Sequence, residues 1–313
     1  MSDTAFFTSD HHGFYCHQEP FFPSMGEDGN TFLVRLPAHL SDDLDWTQEI
    51  ELAKQMIAEG KFLLWEIDLG LNTATFNPND TASFYSYSLA LEHFAKTVWP
   101  TFQTQTFGLV LYRSSFDPCR HFPISQWEAA FAEWSSARKE DYELFCTQLF
   151  SEYLHRLVSF LPESVLPFLW MEIPEKMSAA RQAQLLSKDR FEYLHFILRG
   201  AKTPFSGICL ESNSPHPMCS VGVCLPGDDV INKTVLEQMD ALFADLQEKE
   251  THFRVVPEEK LTEGWDGLDQ LIVFSSALGP RGKRKLLGFI AAGGTVSTVG
   301  DAIGLPEEEL LSL

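Results

Sequence analysis

Carboxylates close several of the apolar runs in this sequence. Glu66 and Asp68 end FLLWEID, Glu172 ends PFLWME, Glu211 ends SGICLE, and Arg113 and Asp117 follow FGLVLY. An apolar run ending in charge is what a buried parallel strand becomes at the mouth of its sheet. The run is covered on both faces and its last side chains emerge into a crevice. Two carboxyl groups meeting there divide acid from base or nucleophile, one kept protonated by apolar surroundings and the other ionised. Cleavage of a glycosidic bond requires such a pair. Glu172 and Glu211 are the candidates for it. Glu66, Asp68, Arg113 and Asp117 are candidate partners for substrate hydroxyls, and Trp65, Trp170 and Tyr112 are aromatic faces on which a sugar ring could stack.

A second cluster invites a different chemistry. SDHHGFYCHQ (9–18) gathers His11, His12, Cys16 and His17, all competent ligands for zinc and its neighbours. The spacing matches no zinc-finger or zincin pattern, and no second ligand pair follows at a familiar distance. The flanking aromatics, FF, FY and FFP, suit a segment that closes the end of a barrel. No metal site and no cofactor are expected.

The elements that must position these residues alternate between two periods. Strand-like runs at 31–38, 61–70, 106–117, 164–175 and 204–213 are separated by helical patterns. In WTQEIELAKQMIAEG, Ile50, Ala53, Met56 and Ile57 share one helical face, and Gly60 is the natural stop. Further helices are expected over 86–102, 124–137, 142–161 and from 179 onward, where YLHFILRG could instead be a strand. Buried strands alternating with amphipathic helices mean parallel βαβ units. The predicted fold class is α/β: a (β/α)8-like TIM barrel over residues 1–215, with a strand count short of eight. NSPHP (213–217) marks a boundary. Residues 216–313 then read as a flavodoxin-like three-layer domain with four short strands.

Composition narrows the partners. The 313 residues carry 23 basic and 44 acidic side chains, a formal charge of −21, which repels nucleic-acid backbones. The one dense basic patch, RGKRK (281–285), is expected on an exposed helix. No run approaches the ~20 apolar residues of a membrane span, and MSDTAFF lacks the features of an export signal. Six scattered cysteines, several inside apolar strands, read as free thiols. Together these point to the cytoplasm, with no nucleic-acid or membrane partner.

The stretch WDGLDQLIVFSSALGPRGKRKLLGFIAAGGTVSTVG (265–300) resembles class I glutamine-amidotransferase-like domains. It is similar to the one that follows the barrel of some β-galactosidases and serves subunit assembly. Glutaminase chemistry is not implied. It needs a cysteine at a strand-to-helix elbow and a later histidine, whereas Cys224 follows the first strand of the unit and no histidine follows His252. Barrel followed by such a domain resembles the glycoside hydrolases of the β-galactosidase type. The resemblance implies a carbohydrate ligand, Glu172 as acid/base, Glu211 as nucleophile, and a homo-oligomer formed through the C-terminal domain. Met171 stands where such barrels carry an asparagine before the acid/base glutamate. The alternative is a catalytically silent barrel acting as a binding or assembly protein.

Overall fold

The computed structural model describes residues 6–9, 14–26, 28–37, 44–68, 80–135, 141–187, 190–191, 193–199, 207–209 and 219–311. The chain opens with three short antiparallel strands, β1 (Phe7–Ser9), β2 (Phe14–Cys16) and β3 (Glu19–Phe21). Six strands then form a sheet in chain order, parallel throughout: β4 (Thr31–Pro37), β5 (Phe62–Asp68), β6 (Thr106–Ser115), β7 (Pro167–Glu172), β8 (His195–Arg199) and β9 (Gly207–Cys209).

Helices occupy the crossovers. α1 (Thr47–Ala58) joins β4 to β5 and ends where Gly60 takes a φ of +82°, which a side chain would strain. α2 (Thr81–His93) starts at Asp80, whose carboxylate accepts the Ala82 and Ser83 N–H groups. It runs through a π turn (Phe94–Val98) into α3 (Trp99–Phe102). α4 (Ile124–Ser135) and α5 (Tyr142–Val158) join β6 to β7, and α6 (Ala179–Leu185) precedes β8. The helical pattern expected from 179 onward therefore stops at Leu185, and HFILR is a strand buried at Phe196, Ile197 and Leu198.

The two faces of this sheet have different covers. Leu63, Trp65, Ile67, Leu109, Leu111, Leu169 and Met171 pack against the helices. On the opposite face, Leu64, Phe107, Val110, Phe168 and Ile197 pack against Phe7, Phe14 and Phe21, one from each of the first three strands. The segment expected to close one end of the scaffold does cover this face, but it does so as a small sheet. Period-two alternation supplies the division of faces, since neighbours along a strand point opposite ways. Among the described residues six strands are present where a (β/α)8 barrel needs eight, and no pairing joins β9 back to β4.

Gly108 marks the tightest point of this packing. A Cβ there would lie 2.4 Å from the Phe168 ring and 2.6 Å from the Leu166 carbonyl oxygen. Backbone cannot yield as a flexible side chain does, so Gly108→Ala should destabilise the protein by about 1–3 kcal/mol, read from urea unfolding. An unchanged midpoint would refute this close approach.

A second parallel sheet has the order β11-β10-β12-β13-β14. Its strands are β10 (Val221–Leu225), β11 (Phe253–Pro257), β12 (Gln270–Phe274), β13 (Thr295–Val299) and β14 (Glu309–Leu311). Numbered within the unit this is 2-1-3-4-5, an order of doubly wound α/β sheets. α7 (Lys233–Glu248) covers one face through Val235, Met239, Leu242 and Phe243. α8 (Leu261–Gly264) and α9 (Pro280–Ala291) cover the other through Leu261, Leu286 and Phe289. Among the described residues the unit thus has five strands where four are expected; β14, with only three residues, carries too short a pattern to read.

α6 connects the two sheets. Its Ala180 and Ala183 enter the core on the α7 side, and the Ala180 N–H donates to Asp240 Oδ1 at 2.8 Å. Nearby, Arg190 pairs with Asp228. The boundary segment NSPHP lies outside the described residues. Among those described, no helix is long and apolar enough to cross a membrane.

Candidate functional site

At the C-terminal edge of the six-stranded sheet, charged side chains from successive strands form a ladder. Glu66 Oε2 accepts from Arg35 Nε at 2.9 Å and from Arg113 Nη1 at 3.1 Å. Arg35 lies opposite Glu66 in the β4–β5 register, and Arg113 comes from β6. The Arg113 guanidinium then sits 4.0 Å over the Trp170 ring of β7, a cation–π contact that holds its plane. Two residues further along β7, Glu172 lies opposite Arg199 of β8, with 3.8 Å between Oε1 and Nη1. Glu66 is nearly buried, its side chain 10% exposed, whereas that of Glu172 is 59% exposed.

A β-bulge decides which residues reach this ladder. Val110 pairs with Phe168 on the capped face, and strict alternation from Val110 would send Tyr112 to that face and Arg113 to the helices. Instead the register slips between Val110 and Tyr112, with Leu111 as the extra residue. Leu111 and Tyr112 both join the helix-side core, and Arg113 returns to the face that carries Glu66.

The expected site residues therefore divide. Glu66, Arg113, Trp170 and Glu172 share one face, and Asp68 ends the same strand as Glu66 with its side chain exposed. Trp65 does not face a ligand. It is fully buried on the helix side, where its Nε1–H donates to Thr106 Oγ1 at 2.9 Å beside Phe94 and Phe102. Adjacent strand residues point apart, so Trp65 and Glu66 could not have shared a pocket. Tyr112 is likewise corrected: it is buried against Phe150 and His121 because of the bulge. Asp117 caps the 3₁₀ turn Pro118–Arg120 by accepting the Arg120 N–H at 3.2 Å. Glu211 lies outside the described residues.

Arg35 and Arg199 are the ladder members not anticipated from sequence. Each is the charge near the end of an apolar strand, TFLVRLP and HFILR, so the rule that found the carboxylates would have found them too.

Of the ligand-competent cluster His11, His12, Cys16 and His17, at which no metal site is expected, His11 and His12 lie outside the described residues. Cys16 is in β2, and His17 turns the chain towards β3 at a φ of +51° with its ring 3.7 Å from Phe6. Among the described residues, no group of three or more His, Cys, Asp and Glu side chains is placed to hold a metal ion.

Beneath the ladder, on the helix side, Tyr112 Oη lies 3.2 Å from His121 Nε2, and the His121 ring stacks on Phe150. Burial foremost, with help from the Arg120 charge, holds the His121 imidazole at about 4, below its ordinary 6.5. An unfolded chain would take up this proton first. Stability is therefore intact above pH 6.5 and is lost as pH falls towards about 4, by up to about 3 kcal/mol. Urea unfolding of wild type and His121→Phe across this range should show a slope that the variant lacks. Parallel slopes would remove His121 as the cause.

No family model matches this chain, and no curated protein matches it. Among solved structures it is similar to an exo-β-1,4-mannosidase from Opitutaceae bacterium strain TAV5. The two are 11% identical, with a TM-score of 0.46 over 88% of this chain and 71% of that one.

Proposed function

We propose that the protein acts on a carbohydrate at the C-terminal edge of the six-stranded sheet, as a glycoside-hydrolase-like (β/α) scaffold. In this reading Glu172 is the acid/base and Glu211 the nucleophile. Asp68 and Arg113 hold hydroxyls, and residues 216–313 are a separate amidotransferase-like domain available for self-assembly. The observation that carries it is the shared face. An exposed carboxylate, Glu172, stands at the end of a buried parallel strand beside an arginine–glutamate ladder and a tryptophan, the position from which barrel scaffolds draw their catalytic groups.

A second reading is favoured by the ladder's completeness. Glu66 already has two arginines, and Arg113 covers the Trp170 face on which a sugar would stack. That arrangement suits a binding or assembly protein without turnover.

A panel of aryl glycosides and the matching oligosaccharides separates the two. Turnover by wild type supports hydrolysis. Saturable sugar binding without turnover supports the second reading. Neither turnover nor binding would sink both.

A further inference from the structure

The ladder offers a ligand guanidinium edges rather than an aromatic face. Arg113 lies 4.0 Å over the Trp170 ring, so the platform on which a neutral sugar would stack is already covered. Arg35 is the opposite case. Its side chain is 61% exposed and commits only Nε to Glu66, at 2.9 Å. Among the described residues Arg35 makes no other side-chain bond, which leaves the Nη1–Nη2 edge of its fork for a ligand. Such an edge matches the two oxygens of a carboxylate. Charge points the same way. Arg35 and Arg113 donate to one and the same oxygen, Glu66 Oε2. Two guanidiniums sharing one carboxylate keep one net positive charge. Glu172 and Arg199, further along the edge, offset each other. The chain as a whole carries −21, but exposed charges more than about 8 Å away are largely screened at physiological salt. A ligand seated at this edge therefore meets the triad and not the distant acidic surface.

We propose that the sugar taken at this edge is an acidic one, its singly charged oxyanion received by the Nη edge of Arg35 beside Arg113. The inference rests on the carbohydrate reading above and names the class of sugar. The oxyanion is a uronate carboxylate or a sulfate ester, since each carries the one negative charge that the triad leaves unbalanced. Glu66 has a different task from a ligand group. Its nearly buried carboxylate holds both guanidiniums in place before the ligand arrives, so less side-chain freedom is lost on binding. Asp68 stands one rung further out on β5, opposite Pro37 where Glu66 is opposite Arg35. An acidic sugar would present its oxyanion to Arg35 and its hydroxyls to Asp68, because the reverse placement would set two negative charges together.

The test titrates matched oligosaccharides into the full chain by calorimetry, on gluco, galacto and manno backbones. Each set holds a uronate oligomer, the same oligomer after carboxyl reduction, and the reduced oligomer carrying sulfate esters. On at least one backbone an acidic member should bind about 10–100-fold tighter than its neutral partner, the contribution of a charge-assisted pair. The acidic member that binds tighter tells carboxylate from sulfate. The preference should shrink at roughly 0.5 M salt. Arg35→Gln should abolish the preference and bring the two affinities together, and Arg35→Lys, which keeps the charge without the fork, should retain part of it. The melting temperature of both variants should stay near that of wild type, because Arg35 is mostly exposed. Neutral partners that bind wild type as well as acidic ones overturn this inference and leave the carbohydrate reading standing. So does a preference that survives undiminished in Arg35→Gln. Binding of no member of any set ends the carbohydrate reading, and this inference with it.

Discussion

Glu172→Gln should lower turnover of a cleaved aryl glycoside by about 10²–10⁴-fold, the usual contribution of a positioned acid/base. The fold should survive it. The side chain is more than half exposed, and its ion pair with Arg199 is 3.8 Å long between two exposed groups. Such a pair contributes about 0–1 kcal/mol, and glutamine preserves size and most of the hydrogen bonding. A melting temperature near that of wild type, with activity gone, would place the loss in the chemistry. Glu66→Gln is the control. It removes the negative charge that Arg35 and Arg113 share and leaves both guanidiniums at most one neutral amide oxygen, so it should lower stability as well as activity. Glu211→Gln should match Glu172→Gln if Glu211 is the nucleophile. Full activity in Glu172→Gln, or no glycoside turned over by wild type, would end the catalytic assignment and leave the binding reading.

Phe168→Ala should cost about 3–5 kcal/mol, the range for removing a buried aromatic ring. Phe168 is fully buried, with ring centroids 5.0 Å from Phe107, 5.6 Å from Phe14 and 5.4 Å from His195. It is also the ring that fills the space over Gly108. The cavity would open between the six-stranded sheet and the three-stranded one. Refilling it needs movement of the Phe107 and Phe14 rings, which pack on each other, and Phe107 is also held by Phe7 and Phe21. Amide exchange in β1–β3 should accordingly accelerate more than in the second sheet, which has separate cores. Phe22→Ala, at an exposed position in the same segment, should change stability by less than about 0.5 kcal/mol. A cost at Phe168 no larger than at Phe22 would contradict the packing of the small sheet on this face.

Much of the scaffold was legible in the sequence because its signals are local. The apolar run FLLWEID becomes β5, the spacing of Ile50, Ala53, Met56 and Ile57 becomes a face of α1, and Gly60 ends that helix with a positive φ. Period, caps and left-handed glycines are set within a few residues, so they survive without knowledge of neighbours. Strand-end charge likewise placed Glu66, Arg113 and Glu172 near one edge. What tertiary structure decided was which of those side chains meet. The extra residue Leu111 puts Arg113 rather than Tyr112 beside Glu66, and a bulge depends on pairing with β7, more than fifty residues later in the chain. Trp65 went to the core because the π turn and α3 cover its side of β5 with Phe94 and Phe102. FTS, FYC and EPF, three residues each, are too short to show a period; only Phe107 and Phe168 opposite them make strands of them. Alternation along one strand is a property of that strand, whereas register and cover belong to pairs of elements that only folding brings together.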